Sequence, residues 1–240
     1  MNLRTLGKTL KDAVDENGYA FVHTSGITER QLLALGRQFG ELWDPRHSML
    51  SVRYDAIGAQ RARGLDRKPL PPHCECAYEL EPPRYILFHC DGASRAGGDF
   101  FLVRMHDVLA RLRPSDRAAL QATPYDVRSP LSGATAPRLL VSGIDGVGDV
   151  LVLLPIPPAG EKVIYTLPAG RDHASKLLLR RVAKAAADPS LRITHRWRRG
   201  DVAVVDNARF LHGRDGFTGT TRNLKHLRIG RFVTHPASGG

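Results

Sequence analysis

The sequence predicts a mainly β chain with flanking helices, closed around a jelly-roll core. Three observations carry this. β-Branched and aromatic runs recur through the middle and end of the chain, at 84–90, 97–103, 138–144, 149–155 and 201–207. Gly-rich turns separate several of them, as in DGVGD at 145–149. Helical periodicity is confined to the front and to two later insertions. Many short strands with Gly-rich turns fit a closed sandwich or jelly-roll.

In chain order, Leu3, Leu6, Leu10 and Val14 mark one face of a helix that Asn17-Gly18 ends. Residues 19–24 read as a strand. Thr28 and Gln31 form a capping box for a helix whose buried stripe is Leu32, Leu35 and Phe39. A strand is expected near 49–54, then a polar loop over 56–72 that reads equally as a substrate lid or a surface loop. The strand at 84–90 precedes one at 97–103, begun by a Gly pair. Val108, Leu109 and Leu112 give the next helix its apolar side, and Pro114 begins another. The runs at 138–144 and 149–155 flank a hairpin turn. Residues 170–187 predict an amphipathic helix with Leu177, Leu178, Val182 and Ala185 inward. A buried strand at 201–207 and a last strand region at 224–233 close the chain.

The 240 residues are read as a single domain, 1–240, with lid-like insertions near 50–70 and 156–190. At 42% hydrophobic residues the chain can bury a sizeable core. The charged N-terminal stretch resembles neither signal peptide nor anchor, and no apolar run reaches membrane length. Three cysteines, Cys74, Cys76 and Cys90, point to a reducing cytoplasm. The net charge of +11 is Arg-dominated, because seven Lys leave 28 Arg among the 35 cations. Such a surplus suits nucleic acid. The arginines are scattered, however, and no zinc-finger, RRM or helix-turn-helix pattern accompanies them. A solvated Arg-rich surface with an anionic substrate is the favoured reading, and a non-catalytic basic nucleic-acid-binding module is the rival from another class.

The chemistry gathers at PPHCECAY, 71–78. In an extended segment His73 and Glu75 share one face, with Cys74 and Cys76 on the other. A neutral imidazole and a carboxylate are two-thirds of a two-His, one-carboxylate metal triad. Read alone, the triplet also fits an exposed polar turn. The two thiols are too closely spaced for a zinc knuckle. The third ligand candidate is His212, in VVDNARFLHGRDGF at 204–217, just past a buried strand.

With these stretches together, the chain resembles the TauD/TfdA (clavaminate-synthase-like) family of Fe(II)- and 2-oxoglutarate-dependent dioxygenases. The resemblance rests on NGYAFV (17–22) with FG (39–40), HCECAY (73–78), PPRYILFHC with AGGDFFLVRMHDVLARL (82–112) and VVDNARFLHGRDGF, and spans residues 17 to about 231. It implies a double-stranded β-helix, cupin-like core. It implies His73, Glu75 and His212 as Fe(II) ligands, with 2-oxoglutarate and O2 as co-substrates. An Arg beyond the distal His would anchor 2-oxoglutarate. Arg222 fits that place best and Arg228 second, since both share strand parity with His226, whereas Arg231 faces outward.

Glu75 stands where many members carry Asp, which hints at the branch acting on amino-acid-like substrates and argues against a halogenase. Phe100 follows the Gly97-Gly98-Asp99 turn where the family usually has Thr. The expected activity is oxidation of an unactivated C–H, by default hydroxylation, of a small amino-acid-like or carrier-protein-bound substrate. Desaturation, cyclisation, or action on another small organic anion are the alternatives on the same scaffold. Asp99 and Arg214 are further polar candidates for substrate contact.

Overall fold

The computed structural model describes residues 2–44, 49–53, 67–129, 133, 135–153, 165–166, 172–219 and 221–235. Most of the predicted 50–70 loop, and 154–164 with 167–171 of the second insertion, therefore lie outside the described residues. The chain runs α1 (Leu3–Asn17), β1 (Tyr19–His23), α2 (Glu29–Gly36), β2 (Met49–Arg53), β3 (Leu70–His73), β4 (Tyr85–Gly92), β5 (Ala96–Gly97), β6 (Phe100–Arg104), α3 (Met105–Ala110) and α4 (Pro114–Ala122). It continues through β7 (Tyr125–Arg128), β8 (Thr135–Arg138), β9 (Val141–Ile144), β10 (Gly148–Leu151), β11 (Tyr165–Thr166), α5 (Asp172–Ala186), β12 (Arg192–His195), β13 (Asp201–Asp206), β14 (Phe210–Arg214), β15 (Phe217–Thr218) and β16 (Asn223–Ile229).

Two antiparallel sheets face each other. The larger has the order β1-β13-β4-β16-β2 and the smaller β12-β6-β14-β3. Alternation along each strand sorts the side chains into three layers. Ile86, Phe88 and Cys90 of β4, Ala203 and Val205 of β13, Phe100 and Leu102 of β6, Phe210 of β14 and Leu224 of β16 pack between the sheets with Trp197. The opposite face of the large sheet, with Leu87, Val204, Leu227 and Ile229, is covered by Leu6, Leu10, Val14, Leu32 and Leu35 of α1 and α2. The outer face of the small sheet, with Phe101, Val103 and Leu211, carries α3, α5 and the β7–β10 strands. The predicted jelly-roll with flanking helices is thus the observed fold.

Local signals account for most boundaries. Gly18 closes α1 in the left-handed region at φ 83°, and Thr28 with Gln31 forms the expected capping box on α2. One expected stripe is corrected. In α5 the side chain of Leu177 is exposed, while Ser175, Leu178, Leu179, Val182 and Ala186 are buried. Three consecutive leucines let periodicity alone choose the wrong one, and contact with the α3 layer decides it.

Candidate metal centre

β14 sits beside β3 with His212 directly opposite His73. Neighbouring strands lie about 4.8 Å apart, so the two imidazoles meet, with ring centroids 4.2 Å apart. The chain leaves the strand after His73. Residues 75–78 form a turn, Ala77 N–H donates to Cys74 O, and Cys76 adopts φ 52°. That turn, rather than strand alternation, swings the Glu75 carboxylate back over the imidazoles. Its Oε2 lies 3.8 Å from His73 Nε2 and 3.7 Å from His212 Nε2. The ligand-capable atoms of His73, Glu75 and His212 all fall within 4.8 Å of one another, the one such group of three or more among the described residues.

The turn corrects the expected placement of the thiols. Cys74 is buried in the outer core and faces Asn207 O at 3.6 Å. Cys76 is not on the opposite side: its Sγ is 3.7 Å from Glu75 Oε1 and 3.5 Å from the Tyr78 hydroxyl. Burial and the Glu75 charge push both thiols up, well above the ordinary range. At neutral pH they are therefore neutral thiols.

Asn207, fully buried after β13, fixes the turn. Its Oδ1 accepts from Glu75 N–H at 2.8 Å, and its Nδ2 donates to Glu75 O at 3.1 Å and Pro83 O at 2.8 Å. Next to it, Asp206 takes a 2.7 Å hydrogen bond from Arg84 Nη2. On the histidine side, His73 Nδ1 lies 2.9 Å from Pro71 O. A carbonyl only accepts, so Nδ1 carries a proton and Nε2 is the ring nitrogen turned toward Glu75. His212 Nδ1 has no partner among the described residues. Burial, helped by His73, pushes His212 well below the ordinary histidine range, so it is neutral.

Burial alone would raise the Glu75 carboxyl. His226, His73, Arg228 and His212 together instead hold it well below the usual carboxylate range. Burial brings His226 itself down to about 4. At neutral pH Arg228 is therefore the standing cation beside Glu75, donating from Nε at 2.9 Å and Nη2 at 2.8 Å to Oε1. An ionised carboxylate thus meets two imidazoles, a combination suited to a divalent first-row metal with open positions.

β16 supplies the rest of the site. As its parity predicts, Leu224, His226 and Arg228 face the inter-sheet space, and Arg222 just before the strand is also buried, whereas Arg231 is exposed. Arg228, however, is engaged by Glu75. No described residue accepts a hydrogen bond from the Arg222 guanidinium, and its Nε is buried without a partner. Burial, with Arg214 adding repulsion, lowers Arg222 to about 10. Of the other candidates, Arg214 is buried and donates to Lys68 O at 2.6 Å, and Asp99 is half-buried. Phe88 stacks on His226 with centroids 4.8 Å apart, and Phe88 and Phe100 lie 5.8 and 6.0 Å from the His212 ring. Asn207, His226 and Tyr78 were not singled out from sequence, and Cys76 was read only as a thiol on the opposite face. Only His226 left a signal there, its shared parity with the two arginines.

The fold has solved counterparts. PvcB from Pseudomonas aeruginosa superposes with TM-score 0.72 at 20% identity, over 96% of this chain and 82% of that one. An asparagine oxygenase, solved with Fe(II), 2S,3S-3-hydroxyasparagine and succinate, gives TM-score 0.74 at 20% identity, over 94% and 79%. A taurine dioxygenase from Burkholderia xenovorans gives 0.71 at 16% identity, over 98% and 86%. A model of the family described as taurine catabolism dioxygenase TauD, TfdA family matches residues 2–229. The chain therefore belongs to the TauD/TfdA family, and it is an Fe(II)- and 2-oxoglutarate-dependent oxygenase.

Proposed function

We propose that His73, Glu75 and His212 hold the Fe(II), that Arg222 anchors the distal carboxylate of 2-oxoglutarate, and that the enzyme hydroxylates an unactivated C–H of a small amino-acid-like or carrier-bound substrate. The observation that carries the reading is the convergence of the three ligand atoms on one spot between the sheets. Bound there, iron with 2-oxoglutarate and dioxygen supplies the oxidising chemistry, and 2-oxoglutarate leaves as succinate and CO2. The protein's own part is to orient and to exclude water. Pro71 O and Asn207 fix the ligands, and Phe88, Phe100 and Trp197 wall the site.

Arg222 is chosen over Arg228 on chemistry. A buried guanidinium with no acceptor among the described residues is matched by a carboxylate that takes two charge-assisted hydrogen bonds. Arg228 already has its carboxylate. The amino-acid-like substrate class is supported by the glutamate at position 75 and by the product held in the asparagine oxygenase.

The chain is taken as one domain, working in a reducing cytoplasm, where the three free, buried thiols suit it. No helix among the described residues is long and apolar enough to cross a membrane. The test is iron content and succinate release across a panel of free amino acids and carrier-bound aminoacyl groups. The wild type should bind one iron and release succinate with at least one panel member, and His73→Ala should do neither. A His73→Ala variant with wild-type iron content and turnover would overturn the ligand assignment.

A further inference from the structure

We propose that Arg228 is a positioning residue that confines Glu75 to a single metal-facing oxygen and so keeps the third open metal position free. This rests on the assignment of His73, Glu75 and His212 as the ligands. The two carboxylate oxygens of Glu75 have unlike surroundings. Oε2 faces the Nε2 atoms of His73 and His212 at 3.8 and 3.7 Å. Oε1 accepts both Nε and Nη2 of Arg228, lies 3.8 Å from His226 Nε2 and faces the Cys76 thiol. One oxygen is thus presented to the metal and the other is saturated by charge-assisted donors.

Arg228 is itself braced. Its carbonyl accepts from Trp43 N–H at 3.0 Å, and its guanidinium lies 5.5 Å from the Trp43 ring centroid. That indole is tied by Nε1 to Glu81 O at 2.7 Å, and Arg231 packs 5.8 Å from it. The guanidinium is therefore fixed by β16 and a tethered aromatic ring, and its fork closes on one oxygen rather than spanning two.

The consequence follows from counting positions. Three protein ligands leave three positions on an octahedral ion. A carboxylate that turned both oxygens inward would take one of them, and a chelating 2-oxo acid with dioxygen needs all three. To do so Glu75 would have to give up both Arg228 hydrogen bonds.

The test counts exchangeable waters on bound Mn(II) by water-proton relaxation in the wild type, Arg228→Met, Arg228→Lys and His73→Ala. The wild type should show the relaxivity of a three-water ion. Arg228→Met should lose about a third of it per bound ion, as one position closes. Arg228→Lys, which keeps a cationic donor, should recover the wild-type value. A merely structural role would lower the amount of bound Mn(II) and leave the relaxivity per ion unchanged. A two-water wild type, or an Arg228→Met variant equal to it, overturns the proposal. The wild-type count stands even where the Met variant does not fold. If His73→Ala leaves Mn(II) affinity unchanged, the ligand assignment has failed. If His73→Ala weakens it and Arg228→Met keeps three waters, only the role of Arg228 has.

Discussion

Replacing Arg222 by Met should separate stability from co-substrate binding. Arg222 is buried, with 4% of the residue's surface exposed, and no described residue accepts a hydrogen bond from its guanidinium. Its cost is visible in the drop to about 10, caused first by burial and then by Arg214. An apolar side chain of similar volume removes an uncompensated charge, so the metal-free variant should be at least as stable as the wild type. The carboxylate it would bind loses two charge-assisted hydrogen bonds at about 1.5–3 kcal/mol each, or roughly 3–6 kcal/mol together. That is on the order of 10²–10⁴ in dissociation constant. The assay is an anaerobic 2-oxoglutarate titration of Fe(II)-loaded protein beside thermal denaturation of the metal-free form. A 2-oxo acid lacking the distal carboxylate serves as control and should bind both proteins alike. A variant whose 2-oxoglutarate affinity stays within about threefold of wild type would refute the reasoning, because even one lost charge-assisted bond exceeds that.

Asn207→Ala removes three hydrogen bonds from a fully buried site and leaves the Glu75 N–H unpaired; chemical denaturation should show a loss of roughly 3 kcal/mol, with weakened metal binding. Glu75→Ala strands Arg228 without its carboxylate, so the metal-free protein should lose about 3 kcal/mol, and the Glu75→Met/Arg228→Met double variant should regain most of it in EDTA-treated samples. For Asp201, burial works to raise the carboxyl, but His23, the Arg198 N–H and His195 bring it below its ordinary 3.8. A depressed carboxylate contributes stability that is present above its unfolded value and lost as pH falls through the folded one. Asp201→Asn should therefore lower the melting temperature at pH 7 and flatten the decline below about pH 4, and an unchanged acid limb in thermal scans would count against it.

What could be read from the sequence follows from how local each signal was. The H-x-E triplet with a distant His marked the three candidate ligands that converge in the structure, because ligand chemistry restricts the side chains to few types. Parity marked the inner face of β16 because its pairing with β4 is regular from Leu224 to Ile229. Parity failed at Cys76 because the chain turns right after His73, at a non-Gly residue with positive φ. The start of β3 was read as the end of the polar loop because Pro71-Pro72 argues against a strand, although such a pair is tolerated at the edge of a sheet, where β3 lies. Asn207 and the Glu75–Arg228 pair were illegible for another reason. Their partners sit 132 and 153 residues away, and a lone Asn or Arg carries no mark of what it will touch.

β16 shows why two arginines so near in sequence take different work. At about 3.3 Å per residue, the Cα of Arg222 lies roughly 13 Å from that of His226 and roughly 20 Å from that of Arg228. Arg228 and His226 stand over Glu75, at the metal end, while Arg222 stands at the far end beside Phe217. The apolar Leu224 lies between. A diacid chelated at the metal points its second carboxylate away from the chelating end, and a long side chain reaching inward from position 222 closes the remaining span. A cation at the metal end would instead compete with the ion for the chelating carboxylate. Glu75 removes that competition by neutralising Arg228, so the buried guanidinium here without an acceptor among the described residues is the distant one, Arg222, just before the strand. Exchanging the two environments, by Glu75→Gln, should therefore release Arg228 and weaken discrimination between 2-oxoglutarate and its shorter homologue, the four-carbon 2-oxo diacid. If selectivity between the two diacids were unaltered in Glu75→Gln protein that still binds metal, chain length would be read elsewhere than along β16.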